Sequence, residues 1–142
     1  MNTKNIAKYV LLFLGVLDLV RGFMHTFNVN YASEHIAGAV PACSTEDPGA
    51  DQNYKLLMNG FGGANFQTGF INILIAVYKP VLSPYILALI AISYLLTKAS
   101  GNFNKIEPTA KYPGRYMMLG YNILAGLTAI FYFYKYGNKL KK

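Results

Sequence analysis

Residues Leu17–Phe27 read LDLVRGFMHTF. An aspartate, an arginine and a histidine stand within eight positions of an otherwise apolar run, and their reading decides how many helices the fold has. Tyr9–Leu17 alone gives nine residues before Asp18, too few for a membrane crossing and close to the length of a signal-peptide core. Lys4 and Lys8 ahead of it, and Val40-Pro41-Ala42-Cys43 behind it, fit a cleaved leader in outline. Asp18 and Arg21 interrupt that core, however, and Cys43 lies far downstream of it. Continuing the helix to Phe27 instead places Leu11, Leu14, Gly15, Asp18, Arg21, Gly22 and His25 on one face, at spacings of three and four. Val10, Phe13, Leu17, Val20, Met24 and Phe27 form the opposite face. The ionisable stripe then turns toward protein, and the apolar face turns toward lipid.

The rest of the chain supports that choice. Leu56–Tyr78, Pro80–Thr97 and Tyr116–Tyr134 are runs of 23, 18 and 19 residues without a formal charge. About 20 helical residues cross the hydrocarbon layer of a bilayer, so each run is long enough for a span. A soluble bundle would carry a polar stripe on every helix at a period of 3.6 residues, and these runs carry none. The expected fold is all-α, an integral membrane four-helix bundle in one domain over residues 1–142. Its helices fall at about 6–27, 55–78, 80–98 and 115–136, with a longer outer loop over 28–54. The connection YKPVLSP makes the second and third helices an adjacent antiparallel hairpin.

Orientation follows from the basic residues in short connections. With the N-terminus in the cytoplasm, seven lysines lie inside, against four lysines and Arg115 outside. Both termini are therefore expected to be cytoplasmic, in a multi-pass protein of the cell membrane. Eleven of the twelve tyrosines fall at or near span ends, where an amphipathic ring meets the headgroup layer. Tyr121 alone lies well inside a span. The net charge of +7 is then mostly membrane-flanking lysine, and no folded basic face is left for nucleic acid. A single cysteine, Cys43 in the outer loop, excludes an internal disulfide and a multi-cysteine metal site. No cofactor is identifiable, and no metal site is expected.

Polar groups inside the spans are the candidate site. At about 1.5 Å per residue from Tyr9, Asp18 lies about 14 Å deep, with Arg21 and His25 rising from it toward the outer interface. Asp18 and Arg21, three apart, are placed to neutralise each other. The stripe fits a buried ion pair that fixes packing, a functional pocket or proton path, or a contact with another subunit. The second helix contains MNGFGGANFQTGFIN, residues 58–72. Asn59, Gly60, Gly63 and Gln67 share one side of it, and Gly62, Asn65, Gly69 and Asn72 another. Glycines let backbones approach closely and amides bond across the contact, which fits either tight packing or a glycine-floored cavity. The binding set is expected to be Asp18, Arg21, His25, Asn59, Asn65, Gln67 and Asn122, and no catalytic residue is identified.

One polar-faced helix, a GFGGANFQTGF helix, a short basic turn and a helix ending in TKASGNF together resemble the DoxX-type and BphX-like four-helix membrane proteins. The likeness covers residues 55–104 and rests on glycine placement. It implies the fold and not an activity. The chain departs from those families in its second helix, where Asn65 and Gln67 are neutral and charged residues would be expected.

The leading functional expectation is a small non-enzymatic membrane subunit or accessory component, in contact with other subunits or with itself. The alternative is a bundle that binds a lipid-like or quinone-like molecule, or is redox-coupled through it. The third is a proton-coupled carrier using Asp18 and His25, ranked last because four helices lack the repeat architecture that such carriers rock.

Overall fold

The computed structural model describes residues 3–32, 35, 48–104 and 113–137, all helices and short connections with no strand among them. Helix α1 runs Thr3–Phe27 and is followed by a single turn, α2, Val29–Tyr31. Helix α3 runs Pro48–Tyr78, α4 Ser83–Phe103 and α5 Pro113–Tyr136, with a 3₁₀ turn at Pro80–Leu82 between α3 and α4. Prolines open these helices because their missing N–H lies in the first turn, where it has no intrahelical partner. Pro84 does this for α4, and Pro113 begins α5. At the far end of α4, both the backbone N–H and Nδ2 of Asn104 donate to the Ser100 carbonyl at 2.9 Å.

The α1 helix is continuous through LDLVRGFMHTF, as the four-helix reading requires. The helix ends differ from expectation mainly in α3, which begins at Pro48 and takes residues 48–54 out of the expected outer loop. Cys43 lies outside the described residues.

Helix α1 is the centre of the assembly. It packs most extensively along α3 on one flank, and against α5 and α4 on the other. The adjacent α3–α4 hairpin expected from the short connection is thereby corrected. Those two helices meet only slightly, because α1 fits more closely against α3 than α4 does. The cause is a pair of glycine notches in antiparallel register. A Cβ on Gly69 would stand 2.8 Å from the Gly15 carbonyl oxygen, and one on Gly22 would stand 3.1 Å from the Gly62 carbonyl oxygen. Seven residues separate Gly15 from Gly22 and Gly62 from Gly69, so the notches recur two turns apart and the backbones lie nearly in contact.

The core is small. Ala7, Leu11 and Leu14 of α1 meet Ala76 of α3, Leu87 of α4, and Ala125, Ala129 and Tyr132 of α5. These residues come from the N-terminal half of α1 and the ends of the other helices that pack beside it. Large apolar side chains face outward on every long helix: Phe13, Val20 and Phe27 on α1, Phe70 and Leu74 on α3, Leu95 on α4, and Ile130 on α5. Among the described residues the buried polar ones are Asp18, His25, Asn72, Ser83 and Asn122. Polar groups of the described residues therefore share the interior with an apolar core, and large apolar side chains make up much of the exterior. Two helical segments, Pro80–Phe103 and Pro113–Tyr136, are long and apolar enough to cross a membrane.

Candidate functional site

Asp18 is the point at which three helices are tied. Its side chain is 3% exposed. Tyr121 of α5 donates its hydroxyl to Asp18 Oδ2 at 2.8 Å, and Asn72 of α3 donates Nδ2 to the same oxygen at 3.3 Å. Arg21, one turn along α1, donates Nη1 to Oδ1 at 3.3 Å. A buried carboxylate is costly unless paired and hydrogen-bonded, and this one receives donors from its own helix and both flanks. The arrangement locks α3 and α5 to α1 through one side chain.

Arg21 is held less firmly than Asp18. Its side chain is 28% exposed, and its guanidinium carbon lies 6.0 Å from the centre of the Tyr121 ring, within cation–π range. His25, a further turn along, is buried and sits 2.8 Å by Nδ1 from the Arg21 carbonyl oxygen. Because a carbonyl only accepts, Nδ1 carries the proton, and Nε2 is the ring's remaining polar atom.

The structure therefore brings Asp18, Arg21 and His25 together on the α1 face expected for them. It treats the remaining expected residues differently. Asn65 is half-buried on the side of α3 that carries Gly62 and Gly69. Asn122 is buried but donates Nδ2 to the Met118 carbonyl of its own helix at 2.7 Å. Asn59 and Gln67 are exposed, as are Gly60 and Gly63, and a Cβ on either of those glycines would meet nothing within 4 Å. Among the described residues, Asn59, Asn65, Gln67 and Asn122 are thus not brought around one cavity. The glycine side of α3 that meets α1 is the other one, with Gly62, Gly69 and Asn72.

Two cluster members were not in the expected set. Asn72 shares the inward stripe of Gly62 and Gly69, so its place follows once that stripe is known to face α1. Tyr121 carried a clearer signal, being the one tyrosine well inside a span. A phenol there has no interface to reach, and its hydroxyl needs a partner within the protein. Tyr121→Phe should lower stability by about 1–2 kcal/mol through loss of that bond. Thermal unfolding in detergent checks this against Tyr116→Phe, whose ring is exposed and which should unfold as the parent does.

Among the described residues no group of three or more histidine, cysteine or acidic side chains is placed to hold a metal ion. Searches of family models, curated proteins and solved structures find no match to the chain.

Proposed function

We propose that the chain is a four-span integral membrane protein, with both termini cytoplasmic, that serves as a non-enzymatic accessory subunit and associates through the outward face of α3. The spans would be α1, α3, α4 and α5. Supporting α1 and α3 as spans is their inverted pattern: Phe13, Val20, Phe27, Phe70 and Leu74 are exposed, whereas Asp18, His25 and Asn72 are buried. In water that exterior would aggregate, and in lipid it is the ordinary one. The lysine distribution supports the orientation, and the glycine placement resembling DoxX-type proteins agrees with the architecture.

The association reading rests on one observation: α3 has a second small-residue face that the described residues leave open. Gly62 and Gly69 are filled by α1, but Gly60, Gly63, Ala64 and Gln67 point outward together. Small residues cost little to expose in lipid, and they permit close approach of another helix. An outward amide is different, because lipid tails cannot bond it and a partner helix can.

Native mass measurement after gentle extraction tests this. The expected species is the chain bound to a second copy or to another membrane subunit. Gln67→Leu should weaken that association roughly 3- to 30-fold, the equivalent of about 0.6–2 kcal/mol for an interhelical bond, while leaving the monomer's helix content intact. A chain that stays monomeric and alone at all protein-to-detergent ratios would defeat the proposal.

A further inference from the structure

We propose that Arg21 and His25 form a binding site for the carboxyl group of a single-chain fatty acid, reached from within the bilayer. The inference rests on the four-span placement proposed for the chain and goes beyond its role as a subunit.

Three observations carry it. The first is that Arg21 is underused. A guanidinium has five N–H donors, and among the described residues one of them is engaged, at 3.3 Å, while more than a quarter of the side chain is exposed. Asp18 does not depend on it, because Tyr121 and Asn72 already donate to the carboxylate. Arg21 can therefore turn its free edge to a second acceptor without stranding the aspartate. The second is His25, one turn away on the same face, whose Nδ1 is committed to the Arg21 carbonyl and whose Nε2 has no hydrogen-bond partner among the described residues. The third is that α4 stands clear of its neighbours in its C-terminal half. Every residue from Leu95 to Ser100 is exposed, on all sides of the helix, whereas Ser83, Pro84 and Leu87 at its other end are buried. Among the described residues, α1 and α3 bury His25 in this half, while α4 and α5 cover Arg21 less fully, with apolar Leu95 and Met117 exposed on them.

Depth selects the ligand. Arg21 lies about 18 Å along the helix from Tyr9, inside a hydrocarbon layer about 30 Å thick. A phospholipid headgroup carries a permanent charge and stays at the interface, so it does not reach that level. A carboxyl group can take up a proton and travel neutral through hydrocarbon. At the site its carbonyl oxygen accepts from Arg21 and its O–H donates to His25 Nε2. If that proton moves to the imidazole, the resulting carboxylate accepts from both groups. Either form is matched by the same two side chains: the neutral acid leaves the Asp18–Arg21 pair balanced, and after proton transfer guanidinium and imidazolium together balance Asp18 and the ligand carboxylate. A phosphodiester has no proton to offer His25.

The test uses the full chain. Membranes are first washed with carbonate, and the retained protein is purified in detergent. Fluorescent cis-parinaric acid is titrated into it, the chain having no tryptophan to interfere. Saturable binding is expected, displaced by palmitate at least tenfold better than by hexadecanol or phosphatidylglycerol. Arg21→Gln should weaken binding tenfold or more, and Arg21→Lys should restore part of it. Helix content by circular dichroism, and parent-like affinity in an Ile130→Val control on the outward face of α5, separate loss of the site from loss of the fold. Equal displacement by hexadecanol, or unchanged affinity in a folded Arg21→Gln protein, overturns the carboxyl site and leaves the subunit proposal standing. Displacement by phosphatidylglycerol as effective as by palmitate assigns the site to an interfacial headgroup instead. Release of the chain by carbonate overturns both proposals.

Discussion

Gly69→Leu should be one of the two most damaging single substitutions in the helix interfaces. Even a bare Cβ at this position would stand 2.8 Å from the Gly15 carbonyl oxygen and 2.8 Å from a methyl carbon of Leu19. The first of these is backbone, which cannot swing aside, so the side chain must push α3 away from α1 along its length. Overpacking inside a well-packed core costs about 1–3 kcal/mol, and a branched side chain between two backbones belongs at the upper end of that range. Opening the gap would also lengthen the 3.3 Å bond from Asn72 to Asp18, three residues further along α3. Gly63→Leu is the matched control, since open space surrounds that glycine. Its effect on the monomer should stay within about 0.5 kcal/mol, as for a substitution away from any packed feature. Thermal unfolding of the two variants in detergent compares them directly. Equal melting temperatures would mean that the glycine notches are not what holds α1 against α3.

Asp18→Asn should rank beside it, by a different route. The substitution leaves Arg21 as an unpaired cation within the bundle, and breaking one side of a buried pair costs about 3–5 kcal/mol. It also weakens the acceptor that Tyr121 and Asn72 share. Arg21→Gln should be milder, because Asp18 keeps both of those donors. The double variant should recover part of the stability lost by Asp18→Asn alone. A double-mutant cycle on melting temperature isolates the coupling, and strict additivity of the two changes would rule out the ion pair as a stabilising unit.

Much of this arrangement was legible in the residues themselves. The α1 stripe reads at spacings of three and four, and Leu11, Leu14, Gly15, Asp18, Gly22 and His25 are all buried, with Arg21 half-buried beside them. Periodicity sufficed there because α1 has one polar face and one apolar face. It did not suffice for α3, which carries glycine and amide on two sides. Gly60, Gly63 and Gln67 look as suitable for packing as Gly62, Gly69 and Asn72, and what decides between them is the position of Gly15 and Gly22 on a different helix. Adjacency in sequence misled for the same reason. A short turn requires α4 to start near the end of α3, but it does not require the two helices to stay together along their length. The part played by Tyr121 is a meeting of residues far apart in the chain, and no local pattern encodes the partner.

The wide sequence spacing of the Asp18 contacts also gives the site a history during synthesis. Its partners become available in order: Arg21 three residues on, Asn72 after 54, and Tyr121 after 103. At about 5–20 residues per second, the tyrosine follows the aspartate by roughly 5–20 s. Under the proposed four-span placement, a chain inserted from its N-terminus lodges α1 with only a neighbouring arginine to answer the carboxylate. It gains a second donor when α3 docks in the glycine notches, and a third only when the last helix arrives. Docking of α5 completes the tie, and under the proposed four-span placement a nascent chain stalled before Tyr121 would expose the half-answered carboxylate to whatever quality control surveys the membrane.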